Sequence, residues 1–200
     1  MSNFDRGFKS WSERTATSLR SRLKLKPHDP LLAFDLAKLL DVKLLKPEEI
    51  TGLDSTQLSQ LVSKDGSSWS AVTLCIENKH IVIYNTSHLL QRQSTDIMHE
   101  LAHVIIGHKP SRFFVSANAD MDIPLRDFDK KQEEEADWLS YCLLLPRVAL
   151  EHIKRTNMSD EAVLQGYKVS GTLLKMRMAL TGVNLQMKRF SKYKKKPLTK

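Results

Sequence analysis

Residues 99–103 read His99-Glu100-Leu101-Ala102-His103, and this run decides what the centre of the chain builds. In a helix, positions i and i+4 lie on one face, so the imidazoles of His99 and His103 can converge on one metal ion. Glu100 follows His99 by about 100° around the helix. Its carboxylate can then act as a general base toward a water at that ion. The run therefore predicts a helix that carries two metal ligands and a base.

This spacing is the His-Glu-x-x-His motif of zinc peptidases. A chain of this composition contains the motif by chance in roughly one shuffled sequence in a hundred. The alternative is that the two histidines merely pack or lie exposed on a helix. The motif favours a hydrolytic zinc site, provided that the chain also supplies a third ligand.

A third histidine in the extended pattern HExxHxxGxxH is excluded. Gly107 comes one residue too late after His103, and His108 comes too early. We therefore interpret His108 as a helix-terminal or surface histidine rather than a ligand.

The acidic run Gln132-Glu133-Glu134-Glu135-Ala136-Asp137 offers a carboxylate instead. Glu133 and Asp137 are four residues apart and share one helix face. With Glu133 as the third ligand, Asp137 can accept a hydrogen bond from a ligating histidine and fix its tautomer. Glu134 takes the ligand position if the register differs by one residue, and a solvated acidic helix start is the other alternative. Such a site suits Mn²⁺ as well as Zn²⁺, and the motif favours Zn²⁺.

Composition places the chain among globular domains. Its 200 residues fit one domain or a domain with a small appendage, and 41% hydrophobic residues suffice for a core. Cys75 and Cys142 are far apart in the sequence, which argues against a disulfide framework and a cysteine zinc site. The first residues lack the apolar core of a signal peptide, and no run of 18 apolar residues exists. We expect a cytoplasmic protein with no membrane partner.

The net charge of +8 is concentrated at the two ends of the chain. Residues 1–26 carry seven basic and two acidic residues, and residues 188–200 carry seven basic and none acidic, which leaves −4 for residues 27–187. Basic ends can attract nucleic acid or an acidic partner, or they can be solvated and disordered.

Periodicity predicts an α+β fold that is mainly helical. Two strand-like runs, Trp69 to Ile76 and His80 to Asn85, form a hairpin joined by Glu77-Asn78-Lys79. The helix that carries the motif follows from Gln91 to Ile106, and Gly107 can end it. The next helix runs from about Lys131 to Leu145, after an irregular stretch over residues 109–130, and short helices follow.

Three stretches together resemble the ImmA/IrrE family of bacterial metallopeptidases. The first is Thr95–His108 with the preceding strand Ile81–Asn85, the second is Glu133–Leu139 running into Leu143–Pro146, and the third is Tyr167–Ser170 followed by Leu173–Leu180. They span most of the chain. The motif alone occurs in many peptidase clans, whereas the combination is more specific.

The resemblance implies a gluzincin-like zinc peptidase. The matching positions make His99, His103 and Glu133 the metal ligands and Glu100 the catalytic base. Family members are commonly linked to cleavage of helix-turn-helix repressors, which releases genes of mobile elements, stress responses or defence. The sequence departs from the family pattern at Asp137, where asparagine is common, and at Ala102, where glycine is common.

These observations divide the chain into a basic N-terminal helix or arm over residues 1–30, a zincin-like metallopeptidase domain over 31–155, a helix-turn-helix-like segment over 156–187, and a basic tail over 188–200 that we expect to be disordered.

The expected function is a zinc-dependent endopeptidase acting on a protein, with a helix-turn-helix repressor as the expected substrate. The alternative is a non-catalytic metal-binding regulator that binds DNA or a repressor through its C-terminal helices and basic ends. Tyr141 and His152 are candidates for stabilising the oxyanion.

Overall fold

A computed structural model describes residues 4–50, 69–76, 78–108 and 129–187 of the chain. Its helices are α1 (Phe8–Arg22), α2 (Ala33–Leu39), α3 (Leu90–Ile106), α4 (Lys130–Leu144), α5 (Arg147–Thr156), α6 (Asp160–Tyr167) and α7 (Gly171–Thr181). Its strands are β1 (Lys43–Leu45), β2 (Ala71–Ile76) and β3 (Lys79–Tyr84), and Pro47–Glu49 form a short 3-10 helix. The predicted class is confirmed: a mainly helical α+β fold has a small sheet before the helix that carries the motif.

The three strands form one sheet in the order β1-β3-β2, with β1 parallel and β2 antiparallel to β3. Ile76 pairs with Lys79, and Asn78, which directly precedes Lys79, has a φ of 62°. Asparagine tolerates this left-handed conformation, which a tight hairpin turn requires. The predicted hairpin is confirmed, with a shorter loop because Lys79 already belongs to β3.

Helices α3 and α4 pack against each other and form the centre of the core. The apolar face of α3 buries Ile97, Met98 and Leu101, and α4 buries Leu139 and Leu143. The side chain of each such residue contributes roughly 1.5–3 kcal/mol when it leaves water. Since these apolar residues recur at helical spacing, the polar residues between them are held in fixed directions beside the core.

Specific residues define where α3 ends and where α4 begins. Gly107 ends α3 in a left-handed conformation with a φ of 83°, as the sequence predicted. Asp129 precedes α4, and its carboxylate accepts hydrogen bonds from the backbone N–H groups of Lys131 and Gln132. This N-cap satisfies two of the amides that a helix start leaves without a partner.

Helices α1 and α7 are joined to the same core by buried arginines. Arg20 is fully buried and donates hydrogen bonds to the backbone oxygens of Asp29 and Leu143, at 2.8 and 2.7 Å. Arg177 is 1% exposed and forms an ion pair with Glu13 at 2.6 Å. The contacts of Arg20 with Leu143 and of Arg177 with Glu13 cross the boundaries expected at residues 30 and 155, although the division into domains stays a prediction.

Two sequence expectations fall outside the described residues. They are the irregular stretch, most of which is residues 109–128, and the basic tail at 188–200. Within the part of the chain that the structure describes, no helix combines the length and apolar character needed to cross a membrane.

Candidate metal centre

His99 and His103 face each other from successive turns of α3. Their Nε2 atoms are 3.0 Å apart, and both side chains are largely buried. The separation of four residues places them on one helix face, as the sequence predicted. Two nitrogen donors therefore converge on one point beside the helix.

Glu133 approaches the same point from α4. Its Oε2 lies 3.2 Å from His99 Nε2, and its Oε1 lies 3.7 Å from His103 Nε2. One donor atom from each of the three residues lies within 4.8 Å of the other two. Glu134 does not join this group. Its carboxylate lies 4.0 Å from Lys130 Nζ, and its side chain is 36% exposed.

The three donors match the spacing that a tetrahedral ion requires. Ligand bonds of about 2.0–2.1 Å put neighbouring ligand atoms about 3.3 Å apart. The 3.0 Å between the two Nε2 atoms and the 3.2 Å between His99 Nε2 and Glu133 Oε2 are close to this value, and His103 Nε2 lies 3.7 Å from the other Glu133 oxygen, Oε1. Two imidazole nitrogens and one carboxylate oxygen are also the donor set of hydrolytic zinc sites that keep a fourth position open. The residues thus fit a catalytic metal.

Asp137 orients His99 from the next turn of α4. Its Oδ1 lies 2.9 Å from His99 Nδ1. Burial by itself lowers the pKa of His99, but the hydrogen bonds to Asp137 and Glu133 outweigh burial and raise the pKa to about 9. In the metal-free protein, a proton therefore occupies this site under neutral conditions, and a metal ion has to displace it.

Glu100 points toward the sheet and is 3% exposed. The hydroxyl of Thr73, in β2, donates a hydrogen bond to Glu100 Oε2 at 2.6 Å. A short bond to a charged acceptor is among the stronger hydrogen bonds in proteins. Sequence reasoning missed Thr73, because a threonine in a strand has no distinguishing pattern and its partner lies 27 residues away.

His108 directly follows the left-handed Gly107 that ends α3, so it is the helix-terminal histidine of the sequence interpretation, and it lies outside the group of three donors. Its side chain is 8% exposed, its Nδ1 lies 2.9 Å from His103 Nδ1, and its Nε2 lies 3.2 Å from Glu135 Oε2. Burial lowers the pKa of His108, and the hydrogen bond to Glu135 acts in the opposite direction. Gly107 brings about this position, because its left-handed turn directs the chain back along α3.

The two candidate oxyanion donors lie in different places. Tyr141 is one turn beyond Asp137 on α4; burial raises the pKa of its hydroxyl, as does the neighbouring Asp137 carboxylate. His152, in α5, stacks on His28 with 3.8 Å between ring centroids. Of the two, Tyr141 is the one beside a residue of the site.

Comparison with known proteins identifies the family. The family model Peptidase_M78, described as an IrrE N-terminal-like domain, matches residues 57–179, which include β2, β3 and every residue of the site. No curated protein gives a significant match. The matched region is more than half of the 200 residues and confirms the resemblance found in the sequence. The chain therefore belongs to the Peptidase_M78 family, a family of metallopeptidases.

Proposed function

We propose that this protein is a zinc-dependent endopeptidase. In this proposal His99, His103 and Glu133 bind the metal, and Glu100 is the general base. The observation that carries it is the convergence of two Nε2 atoms and one carboxylate from two packed helices, with donor atoms within 4.8 Å of one another. Membership of a metallopeptidase family supports the same assignment. Zinc is favoured over manganese because imidazoles supply two of the three donors.

In the proposed mechanism, each residue of the candidate site has a separate role in hydrolysis. Zinc, when bound, supplies a Lewis acid that polarises the scissile carbonyl and makes water more acidic. The Glu100 carboxylate takes a proton from the attacking water and delivers it to the leaving amine. Thr73 holds one Glu100 oxygen at 2.6 Å and thereby limits the directions in which the carboxylate can point. Asp137 fixes the His99 ring, so that Nε2 faces the metal.

Strand β2 supports binding of the substrate as an extended segment. Among the strands that the structure describes, β2 pairs with β3 alone and lies at the edge of the sheet. An extended peptide can add to such an edge through backbone hydrogen bonds. Because Thr73 in β2 contacts Glu100, a peptide on this edge passes close to the general base. Cleavage within a chain follows naturally from this mode of binding.

The proposed substrate is a helix-turn-helix repressor, cleaved in the cytoplasm to relieve repression in a mobile-element, stress or defence system. The support for this substrate is the family alone. The test is to incubate the purified protein with the small helix-turn-helix repressor encoded beside its gene, if one exists, and to follow intact repressor by mass spectrometry.

Glu100→Gln is the decisive variant, and Glu134→Gln is its matched control. Both change one carboxylate to an amide, but Glu134 faces Lys130 rather than the site. We expect the first variant to retain zinc and to cut about 100-fold or more slowly, since general base catalysis contributes about that much. The control should cut at the wild-type rate. Equal rates for the wild type and Glu100→Gln would remove the base assignment, and a zinc-free wild type would remove the metal assignment.

The alternative function, a DNA-binding regulator, gains little support from the C-terminal helices. The charged residues exposed on α6 and α7 are Asp160, Glu161 and Lys175, and Arg177 is buried in an ion pair with Glu13. A DNA-reading face needs a cluster of cations. If DNA binding exists, it falls to the basic ends and should weaken steeply with salt.

A further inference from the structure

The two histidines of the candidate site are both connected to carboxylates of α4. His99 Nδ1 contacts Asp137 directly, at 2.9 Å. His103 Nδ1 contacts His108 at 2.9 Å, and His108 in turn contacts Glu135 at 3.2 Å. We propose that His108 and Glu135 position His103 for the metal. This inference rests on the proposed function, because it assumes that His103 Nε2 is a ligand.

The direction of the hydrogen bonds follows from that assumption. A neutral imidazole whose Nε2 lone pair faces a metal carries its proton on Nδ1. His103 Nδ1–H therefore donates to His108 Nδ1, which must accept. The proton of neutral His108 is then on Nε2, and Nε2–H donates to the Glu135 carboxylate. Each of these ring nitrogens then either donates or accepts one hydrogen bond. The series of hydrogen bonds ends on a carboxylate, as it does for His99.

Neighbouring groups hold the hydrogen-bonded series His103, His108 and Glu135 in place. His108 N–H donates to the backbone oxygen of His103 at 3.0 Å, after the left-handed turn at Gly107. Glu135 is buried, and its Oε1 lies 3.8 Å from Lys131 Nζ. A buried carboxylate is costly unless it has hydrogen bonds or a countercharge. His108 and Lys131 supply both, so the contact is specific rather than incidental.

Zinc affinity tests the proposal without any assay of hydrolysis. Zinc Kd would be measured by competition with a chelator for the wild type, His108→Ala, His108→Asn, Glu135→Gln and the double variant His108→Ala/Glu135→Gln. The controls are His80→Ala, a histidine at the start of β3, and Glu134→Gln, on the solvent side of α4. Thermal unfolding of each metal-free protein reports whether it folds.

We expect His108→Ala to weaken zinc binding about 10–100-fold, the range seen when such outer partners are removed. Asparagine at position 108 can still accept from His103 but reaches Glu135 less well, so its Kd should fall between those of the wild type and alanine. Glu135→Gln by itself should weaken zinc binding. In the double variant it should not raise the zinc Kd beyond that of His108→Ala, because Glu135 acts through His108. The absorption spectrum of bound Co²⁺ should change in His108→Ala, and both controls should bind like the wild type.

A zinc Kd within twofold of wild type in both His108→Asn and Glu135→Gln would overturn the proposal, whether or not His108→Ala folds. Additive losses in the double variant would also overturn it, since independent effects contradict a chain. A wild type that does not bind zinc would instead overturn the proposed function itself. The two failures are therefore distinguishable in one set of titrations.

Discussion

Stability of the metal-free protein should fall as the pH rises from about 6.5 to about 9, because folding raises the pKa of His99 from 6.5 to about 9. Below the lower value both states carry the proton, and the stabilisation is complete. Between the two values the folded state binds more protons than the unfolded state, so stability is lost as the pH rises. The full difference corresponds to about 3 kcal/mol, and the side chain is 19% exposed, so solvent screening takes little from it.

Zinc should cancel this dependence between pH 6.5 and pH 9. The metal replaces the His99 proton, so zinc affinity should increase about tenfold for each pH unit up to about 9. A tighter complex adds stability according to the free zinc concentration and Kd. The metal-free protein should therefore be less stable at pH 8.5 than at pH 6. The stability that bound zinc adds to the folded protein should be larger at pH 8.5 than at pH 6.

Urea unfolding at several pH values, with and without zinc, measures both effects. His99→Gln isolates the contribution of His99 from that of other titrating groups. Asp137→Asn is a milder control, because the amide oxygen still accepts from His99 Nδ1 while the charge is lost, and its pH dependence should be weaker. If metal-free wild type and His99→Gln lose the same stability between pH 6.5 and pH 9, the reasoning about the His99 proton is wrong.

Three further changes have definite expected results. Thr73→Val removes the hydroxyl that binds Glu100, and kcat should fall with little change in zinc content; rates and metal analysis check this. Asp137→Ala removes the acceptor for His99 and should weaken zinc binding about 10–100-fold in a chelator titration. Arg177→Ala removes a buried guanidinium that pairs with the partly exposed Glu13 and donates to the Leu145 backbone oxygen, and it should lower the free energy of unfolding by about 2–3 kcal/mol, measured in urea. A loss below 1 kcal/mol would contradict the structural role of that pair.

Local sequence spacing predicted the residues whose geometry a helix fixes by itself. His99 and His103 share a face of α3, and Glu133 and Asp137 share a face of α4, because residues four apart are neighbours on any helix. That the two faces meet depends on packing, and the family resemblance supplied that information in advance. The hairpin was predicted for a similar reason, since alternation and a turn signal are local properties.

Residues that act through tertiary contacts were not predictable. Glu135 lies about 200° around α4 from Glu133, and the local sequence predicts a solvent-exposed carboxylate there, since no local pattern places His108 beside it. Thr73 depends on how the sheet sits on α3. Arg20 and Arg177 belong to regions that the sequence described as a basic arm and a helix-turn-helix-like segment, yet they are buried against backbone carbonyls. Charge counting cannot tell a solvated arginine from one that donates into a core.

X-ray absorption at the zinc edge tests the His-His-Glu centre most directly. For zinc-loaded wild type we expect two imidazole nitrogens and oxygen donors at about 2.0–2.1 Å. Glu133→Ala should change the oxygen contribution and His103→Ala should remove one imidazole. A sulfur neighbour at about 2.3 Å, or a spectrum that neither variant alters, would place the metal elsewhere and contradict the assignment.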